Sequence, residues 1–181
     1  MKSALVLVRH GQTRWNAELR IQGSTDIPLN ETGRLQALET ATSLKDRQWD
    51  ILACSPLIRA FETAQIIQRE LGLPPPIRIP GLVERDYGEA EGRSAFGLSK
   101  KEISHLVSLG EPETAVAARG ISALKDLLGE YPTHRIIVVA HATLIRLTLS
   151  ALLNHPQPKA QNGQTIDVDP AFLKGPELRG N

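Results

Sequence analysis

The chain of 181 residues is short of several things. It has one cysteine, Cys54, one methionine, and few aromatic side chains: three Phe, two Tyr and two Trp. A single cysteine excludes an intramolecular disulfide and a cysteine-based metal site. Cys54 closes the apolar run Ile51 to Cys54, where it reads as a small buried hydrophobe rather than a nucleophile. With aromatics at 4%, the core must be built from Leu, Ile, Val and Ala. Neither sign of charge dominates: 21 Lys and Arg face 20 acids, for a net charge of +1. That balance speaks against general nucleic-acid binding, which needs a basic surface, but not against a small basic pocket. No apolar stretch reaches the roughly 18 residues of a membrane span, and the N-terminus lacks the apolar region of a signal peptide. A cytoplasmic protein is expected, with no membrane contact. Repeats and low-complexity tracts are also missing.

What is present is an ordinary mixture, 41% apolar and 23% charged, at a length that suits one domain with a sizeable core. Strand-like apolar runs alternate with helical patterns, the mark of an α/β domain with a mostly parallel sheet. The first strand is expected over Ala4 to Val8. A helix follows, capped by Asn30 or Thr32, with Leu35, Leu38, Ala41 and Leu44 as its inward stripe. A short second strand, Asp50 to Cys54, leads into a helix with Ser55 as N-cap, Pro56 at its first position and Gly72 as its stop. Ile58, Phe61, Ala64 and Ile67 are its expected buried face. "PPPIRIPG" reads as an edge strand because prolines cannot donate ladder hydrogen bonds. "LVERDYGEAEGRS" reads as loop, and helices are expected from Ser99 to Leu109 and from about Pro112 to Leu128, with Val116, Leu124 and Leu127 inward. Ile136 to Ala140 is the strongest strand signal and runs straight into another helix. "QTIDVD" is a candidate last strand, and the segment "PAFLKGPELRGN" has no clear pattern.

The unusual polar residues fall at strand ends. Arg9 and His10 follow the first strand, Ser55 and Arg59 the second, and His141 the strongest. Ligands of parallel α/β sheets bind outside the carboxyl ends of the strands, so Arg9, His10, Arg59 and His141 should meet at one edge. Helix N-termini near Pro56 and Ala142 would add free N–H groups and a positive dipole end. Two planar guanidinium forks suit a phosphate. They also push a neighbouring imidazole toward its neutral, nucleophilic form. Phosphoryl transfer asks for positioning and charge stabilisation, which the arginines supply in place of a metal. A leaving alcohol needs a proton, and Glu84 is the best-placed loop acid.

Blander readings exist for each residue. Arg9 and His10 could be a solvated strand end, His141 a buried helix cap, and Arg59 a surface arginine. Asp86, Glu89 and Glu91 share the loop of Glu84, and any of the four acids could simply face solvent. A metal held by His10, His141 and Glu84 is a competing chemistry, weakened by the repulsion of the arginines. His105, His134 and His155 are given no role.

Four segments in order, "LVRHGQTRWN", "SPLIRAFETA", "LVERDYGEAEG" and "VVAHATLIR", together with Asn162, resemble the histidine phosphatase superfamily, the phosphoglycerate-mutase-like clan. The resemblance implies a three-layer α/β/α sandwich and a phosphohistidine mechanism, usually without a metal or other cofactor. It implies His10 as nucleophile, Glu84 as proton donor, and Arg9, Arg59 and His141 completing the phosphate pocket. Asn16 matches a phosphate-contacting position, Thr13 and Gln22 match pocket-lining ones, and Gly23 and Ala142 belong to the expected binding set.

Three departures stand out. Ala142 and Thr143 occupy positions usually written as glycine, and Ala142 would be strained if positive φ were required there. "GEPET" puts Pro112 where a hydroxyl cap is usual. The chain also ends soon after Asn162, so the C-terminal edge of the sheet is expected to be missing or irregular.

The expected function is therefore a metal-independent phosphatase of a small phosphorylated metabolite. A phosphoglycerate mutase and a non-catalytic phospho-ligand binder are the alternatives. Only 57 positions separate Glu84 from His141, where mutase-type relatives carry larger insertions, and that favours hydrolysis. The residues between Gly92 and Gly110 carry no readable substrate code, and a homodimer is left open.

Overall fold

The structure, a computed structural model, describes residues 3–173. Four parallel strands and one antiparallel strand form a sheet in the order β3-β2-β4-β1-β5. They are β1 (Ala4–Arg9), β2 (Ile51–Cys54), β3 (Ile77–Arg78), β4 (Arg135–Ala140) and β5 (Thr165–Val168). The helices are α1 (Arg14–Ala17), α2 (Glu31–Leu44), α3 (Ile58–Leu71), α4 (Lys100–Val107), α5 (Glu113–Glu130) and α6 (Ala142–Leu153).

The strands alternate between two cores, as period-two side chains must when both faces are covered. Leu5, Leu7, Ile136 and Val138 face α5 and α6, whereas Val6, Val8, Ile137 and Val139 face α2 and α3. This is the expected three-layer sandwich. Cys54 is buried in the α2–α3 core and its thiol is pushed up to about 12 by burial, so it behaves as a hydrophobe. No helix among the described residues is long and apolar enough to cross a membrane.

Several local expectations need correction. On α2, Leu35 and Leu38 are exposed, and the buried face is Gly33, Ala37, Thr40, Ala41 and Leu44. A face of Gly, Ala and Thr lets the helix lie close on its neighbours, but it carries little apolar signal to read. Asn30 does cap α2, accepting from Gly33 N at 2.8 Å. Helix α3 starts at Ile58, not at Pro56; Ser55 Oγ bonds only Leu57 N at 3.3 Å. Its first free N–H, on Ile58, is met at 2.7 Å by Asp26 Oδ1, from a loop 32 positions away. Ala64 and Ile67 are buried as expected, while Ile58 is exposed and Phe61 half-buried. Pro112 stands at the N-cap of α5 with no side-chain cap, and Val116, Leu124 and Leu127 point inward.

The expectation of a missing or irregular C-terminal edge is overturned. Strand β5 pairs antiparallel with β1 from Leu5↔Val168 to Val8↔Thr165. A single 3-10 turn, Pro170–Phe172, follows, and the remainder of the unpatterned tail, 174–181, lies outside the described residues.

Candidate active site

The pairing of β1 with β4 builds the site. Arg9 lies opposite Ala140, so the next residue on each strand, His10 and His141, emerges at the same level. His10 N donates to Ala140 O at 3.0 Å, and the two imidazole rings sit 5.1 Å apart, inclined by 58°. Behind His10, Gly11 runs against the first turn of α2, where a Cβ would meet Gly33 O at 2.2 Å. Only glycine permits that approach. Gly11 N donates to Thr63 Oγ1 at 3.1 Å, and the Thr63 hydroxyl donates to Arg59 O at 2.8 Å, which ties the β1 turn to α3.

His10 Nδ1 lies 2.6 Å from Gly11 O. A carbonyl can only accept, so Nδ1 carries the proton and Nε2 keeps the lone pair. Burial, followed by the charges of Arg59 and Arg9, drives His10 well below the usual histidine range. Burial and Arg59 do the same to His141, both of whose ring nitrogens lack a partner among the described residues. Two neutral imidazoles therefore stand beside two cations.

Arg59 is almost fully buried, at 1% exposure. Its Nη2 donates to Gly23 O at 2.6 Å and its Nη1 to Thr25 O at 2.9 Å. The Gln22 amide, with its carbonyl toward the guanidinium, accepts from Nε and Nη1 at 3.1 and 3.0 Å. Of the five N–H groups of an arginine, this leaves an Nη2 hydrogen for a ligand. Burial lowers Arg59 to about 10, against the opposing charges of Glu84, Asp26 and Glu91, so it stays charged at neutral pH. Arg9 Nη1 donates to Ala160 O at 2.7 Å, and its buried Nε has no partner among the described residues.

Glu84 corrects another expectation. The first-turn N–H groups of α6 are not all free for a ligand, because Glu84 takes them. Its Oε2 accepts from Thr143 N at 3.0 Å, and its Oε1 accepts from Leu144 N at 2.9 Å and Arg85 N at 2.9 Å. The helix has no side-chain cap of its own at His141, so the carboxylate supplies one. Ala142 has no positive φ, so alanine costs no backbone strain there. The Thr143 hydroxyl meets the Tyr87 hydroxyl at 2.7 Å. Burial, then the Glu84 charge, raises Tyr87 to about 12.

These groups line an open cleft of about 620 Å³. Arg9, His10, Asn16, Gln22, Gly23, Arg59, Glu84 and Ala142 all border it. His141, expected to complete the phosphate pocket, is fully buried and does not line the cleft; its ring packs against that of His10. Thr13 is fully buried and does not line the cleft; it caps α1, accepting from Asn16 N at 3.2 Å, and contacts Gln22 at 2.7 Å. Asn162 donates to His10 O at 3.0 Å and to Asn16 Oδ1 at 3.3 Å.

Sequence reasoning missed Tyr87, Lys159 and Arg119. Lys159 sits at the rim, lowered by desolvation and then by Arg9. Arg119 on α5 donates to Val83 O and Glu84 O and pairs with Glu111 at 2.8 Å, holding the Glu84 turn in place. Apart from Glu111, eight positions from Arg119, their partners lie 35 positions or more away in the chain, so little local pattern marks them.

His10, backed by His141, with two arginines and a carboxylate in one cleft can receive a tetrahedral oxyanion and exchange a proton with it. The family model of the histidine phosphatase superfamily (branch 1) matches residues 5–171. The chain belongs to this superfamily. It is 39% identical over 166 residues to a Bacillus subtilis (strain 168) protein described as uncharacterized phosphatase PhoE, covering 92% of this chain and 85% of the relative. It is 35% identical over 161 residues to a probable phosphoglycerate mutase GpmB of Cronobacter sakazakii, covering 83% of this chain and 74% of the relative. Among solved structures, the fold resembles a mycobacterial glucosyl-3-phosphoglycerate phosphatase complexed with VO3, at a TM-score of 0.80 and 28% identity over 92% of each chain. This histidine phosphatase is thus a phosphatase- or mutase-like enzyme by family, and its fold is the one the family implies.

Proposed function

We propose that this histidine phosphatase hydrolyses a small phosphomonoester through a phosphohistidine on His10, without a metal. The observation that carries the reading is the His10–His141 pair, with rings 5.1 Å apart and His10 lining the same cleft as Arg9 and Arg59. The lone pair on His10 Nε2 attacks phosphorus, and the ester P–O bond breaks. Glu84 gives its proton to the leaving oxygen; Oε2 accepts only one N–H, so a lone pair remains there to hold that proton. The anionic Glu84 then takes a proton from water as the water attacks the phosphohistidine. The P–N bond breaks, and orthophosphate and neutral His10 are released. Arg9 and Arg59, which line the cleft, hold the equatorial oxygens, while the fully buried His141 packs against the His10 ring, and the guanidinium groups carry the charge that a metal carries elsewhere. The VO3 held by the mycobacterial relative is a phosphoryl stand-in, which supports an oxyanion site in this fold.

Similarity to a probable phosphoglycerate mutase supports a second reading, in which the phosphoryl group returns to the product rather than to water. Turnover of p-nitrophenyl phosphate in EDTA, with wild type and His10→Ala compared, tests the first step. Chelator-insensitive turnover that His10→Ala abolishes supports the proposal. Turnover that needs added metal, or that survives in His10→Ala, overturns it. With 3-phosphoglycerate as substrate, free phosphate indicates the phosphatase and 2-phosphoglycerate the mutase.

A further inference from the structure

Glu91 lies in the loop beyond the Glu84 turn, where it looks like one of several solvated acids. In the fold its carboxylate receives five donors. Oε1 accepts from Ser24 N at 2.7 Å, Ser24 Oγ at 3.0 Å and Tyr87 N at 3.1 Å. Oε2 accepts from Thr25 N at 2.8 Å and from the Thr25 hydroxyl. The same loop turns its carbonyls the other way: Gly23 O and Thr25 O hold the Arg59 guanidinium at 2.6 and 2.9 Å.

The Ser24 N–H and the Gly23 C=O belong to one planar trans peptide, so they point in opposite directions. A carboxylate fixed on one side aims the carbonyl on the other. The rigid unit stands between an anion and a buried cation, and both polarise it in the same sense. Gly23 fits this role: its φ is +57°, and a Cβ there would lie 2.0 Å from Glu91 Oε1.

We propose that Glu91 is a positioning residue for the phosphate clamp, shaping the Gly23–Thr25 loop so that its carbonyls orient Arg59. This rests on the reading of Arg59 as a phosphate-holding group. Glu91→Gln is nearly isosteric but replaces one oxygen with an NH2 group. Either carboxylate oxygen faces at least one backbone N–H, so two donors would meet and the loop would shift.

The test is a double-mutant cycle on the dissociation constant of inorganic orthophosphate, measured calorimetrically, with the Tm of each protein recorded. Wild type, Glu91→Gln, Arg59→Ala and the double variant are compared. Glu91→Gln is expected to weaken orthophosphate roughly tenfold. Arg59→Ala is expected to weaken it further, and the double variant to bind no more weakly than Arg59→Ala alone. A wild-type constant in Glu91→Gln overturns the inference, as does a Glu91 effect that persists undiminished without Arg59. Wild-type binding by Arg59→Ala overturns the underlying reading of the clamp, and the inference with it. If Glu91→Gln does not fold, Glu91→Asp, which keeps the charge but shortens its reach, takes its place in the cycle with the same criteria.

Discussion

At the scale of single residues, the two histidines decide the protein's response to acid. Both are buried and held neutral, with His10 and His141 well below 6.5 because of burial and the adjacent arginines. In the unfolded chain they regain ordinary values near 6.5. Below about pH 6.5 the unfolded state therefore binds protons that the folded state refuses, and stability falls by up to about 1.4 kcal/mol per pH unit per histidine. Above that pH they contribute no slope. Tm measured in phosphate-free buffer from pH 8 to 5 should be flat and then fall, with a shallower fall in His141→Gln. A variant with the wild-type slope would contradict the assignment. The acid limb of kcat/KM that belongs to His10 should likewise lie below pH 6.5. The residues that carry this chemistry were legible in sequence because a strand buried on both faces ended in Arg9 and His10. The structure brings all four strand-end groups, Arg9, His10, Arg59 and His141, to one place. Thr13 proved to support Asn16 and Gln22 from behind rather than to line the cleft.

At the scale of elements, helix ends joined to distant loops set the geometry. Asp26 meets the first N–H of α3, the helix that carries Arg59. Asp26→Ala should cost about 1 kcal/mol, as the loss of a cap does, measured by urea unfolding. It should also weaken phosphate, because Arg59 lies one residue into that helix. Glu84 serves α6 in the same way while standing at the cleft. Glu84→Gln should therefore lower both Tm and kcat, whereas a purely solvated acid would change neither. Sequence periodicity placed the helices well but misread the face of α2. Leu38→Gln should cost less than about 0.5 kcal/mol, as an exposed change does. Ala41→Leu should cost roughly 1–3 kcal/mol by overpacking the fully buried face. The reverse order would restore the leucine stripe as the inward one. Contacts made across 32 to 67 positions leave no local trace, and for that reason the roles of Asp26, Glu91 and Arg119 could not be read from the chain alone.

At the scale of the whole molecule, four parallel strands open toward one edge, and that edge gathers most of the chemistry. The β1–β4 register alone sets His10 beside His141, and the unbroken apolar runs of β1 and β4 were enough to foresee two covered faces. The fate of β5 was harder to foresee, because "QTIDVD" is short and its pairing partner lies at the other end of the chain. Because the proposed oxyanion site exists only in the folded state, orthophosphate should stabilise the protein by mass action. About 2.7 kcal/mol is expected at a hundred times the dissociation constant, with little or none in Arg59→Ala. An equal gain in that variant would place the anion elsewhere.

The central claim is that the phosphoryl group passes through His10. Rapid quench of wild type with p-nitrophenyl phosphate, followed by peptide mass spectrometry at alkaline pH, reads it directly. One added phosphoryl group, acid-labile and confined to the peptide that contains His10, is the predicted result. A phosphoryl group on any other residue, or catalytic turnover that never labels that peptide, would contradict the account.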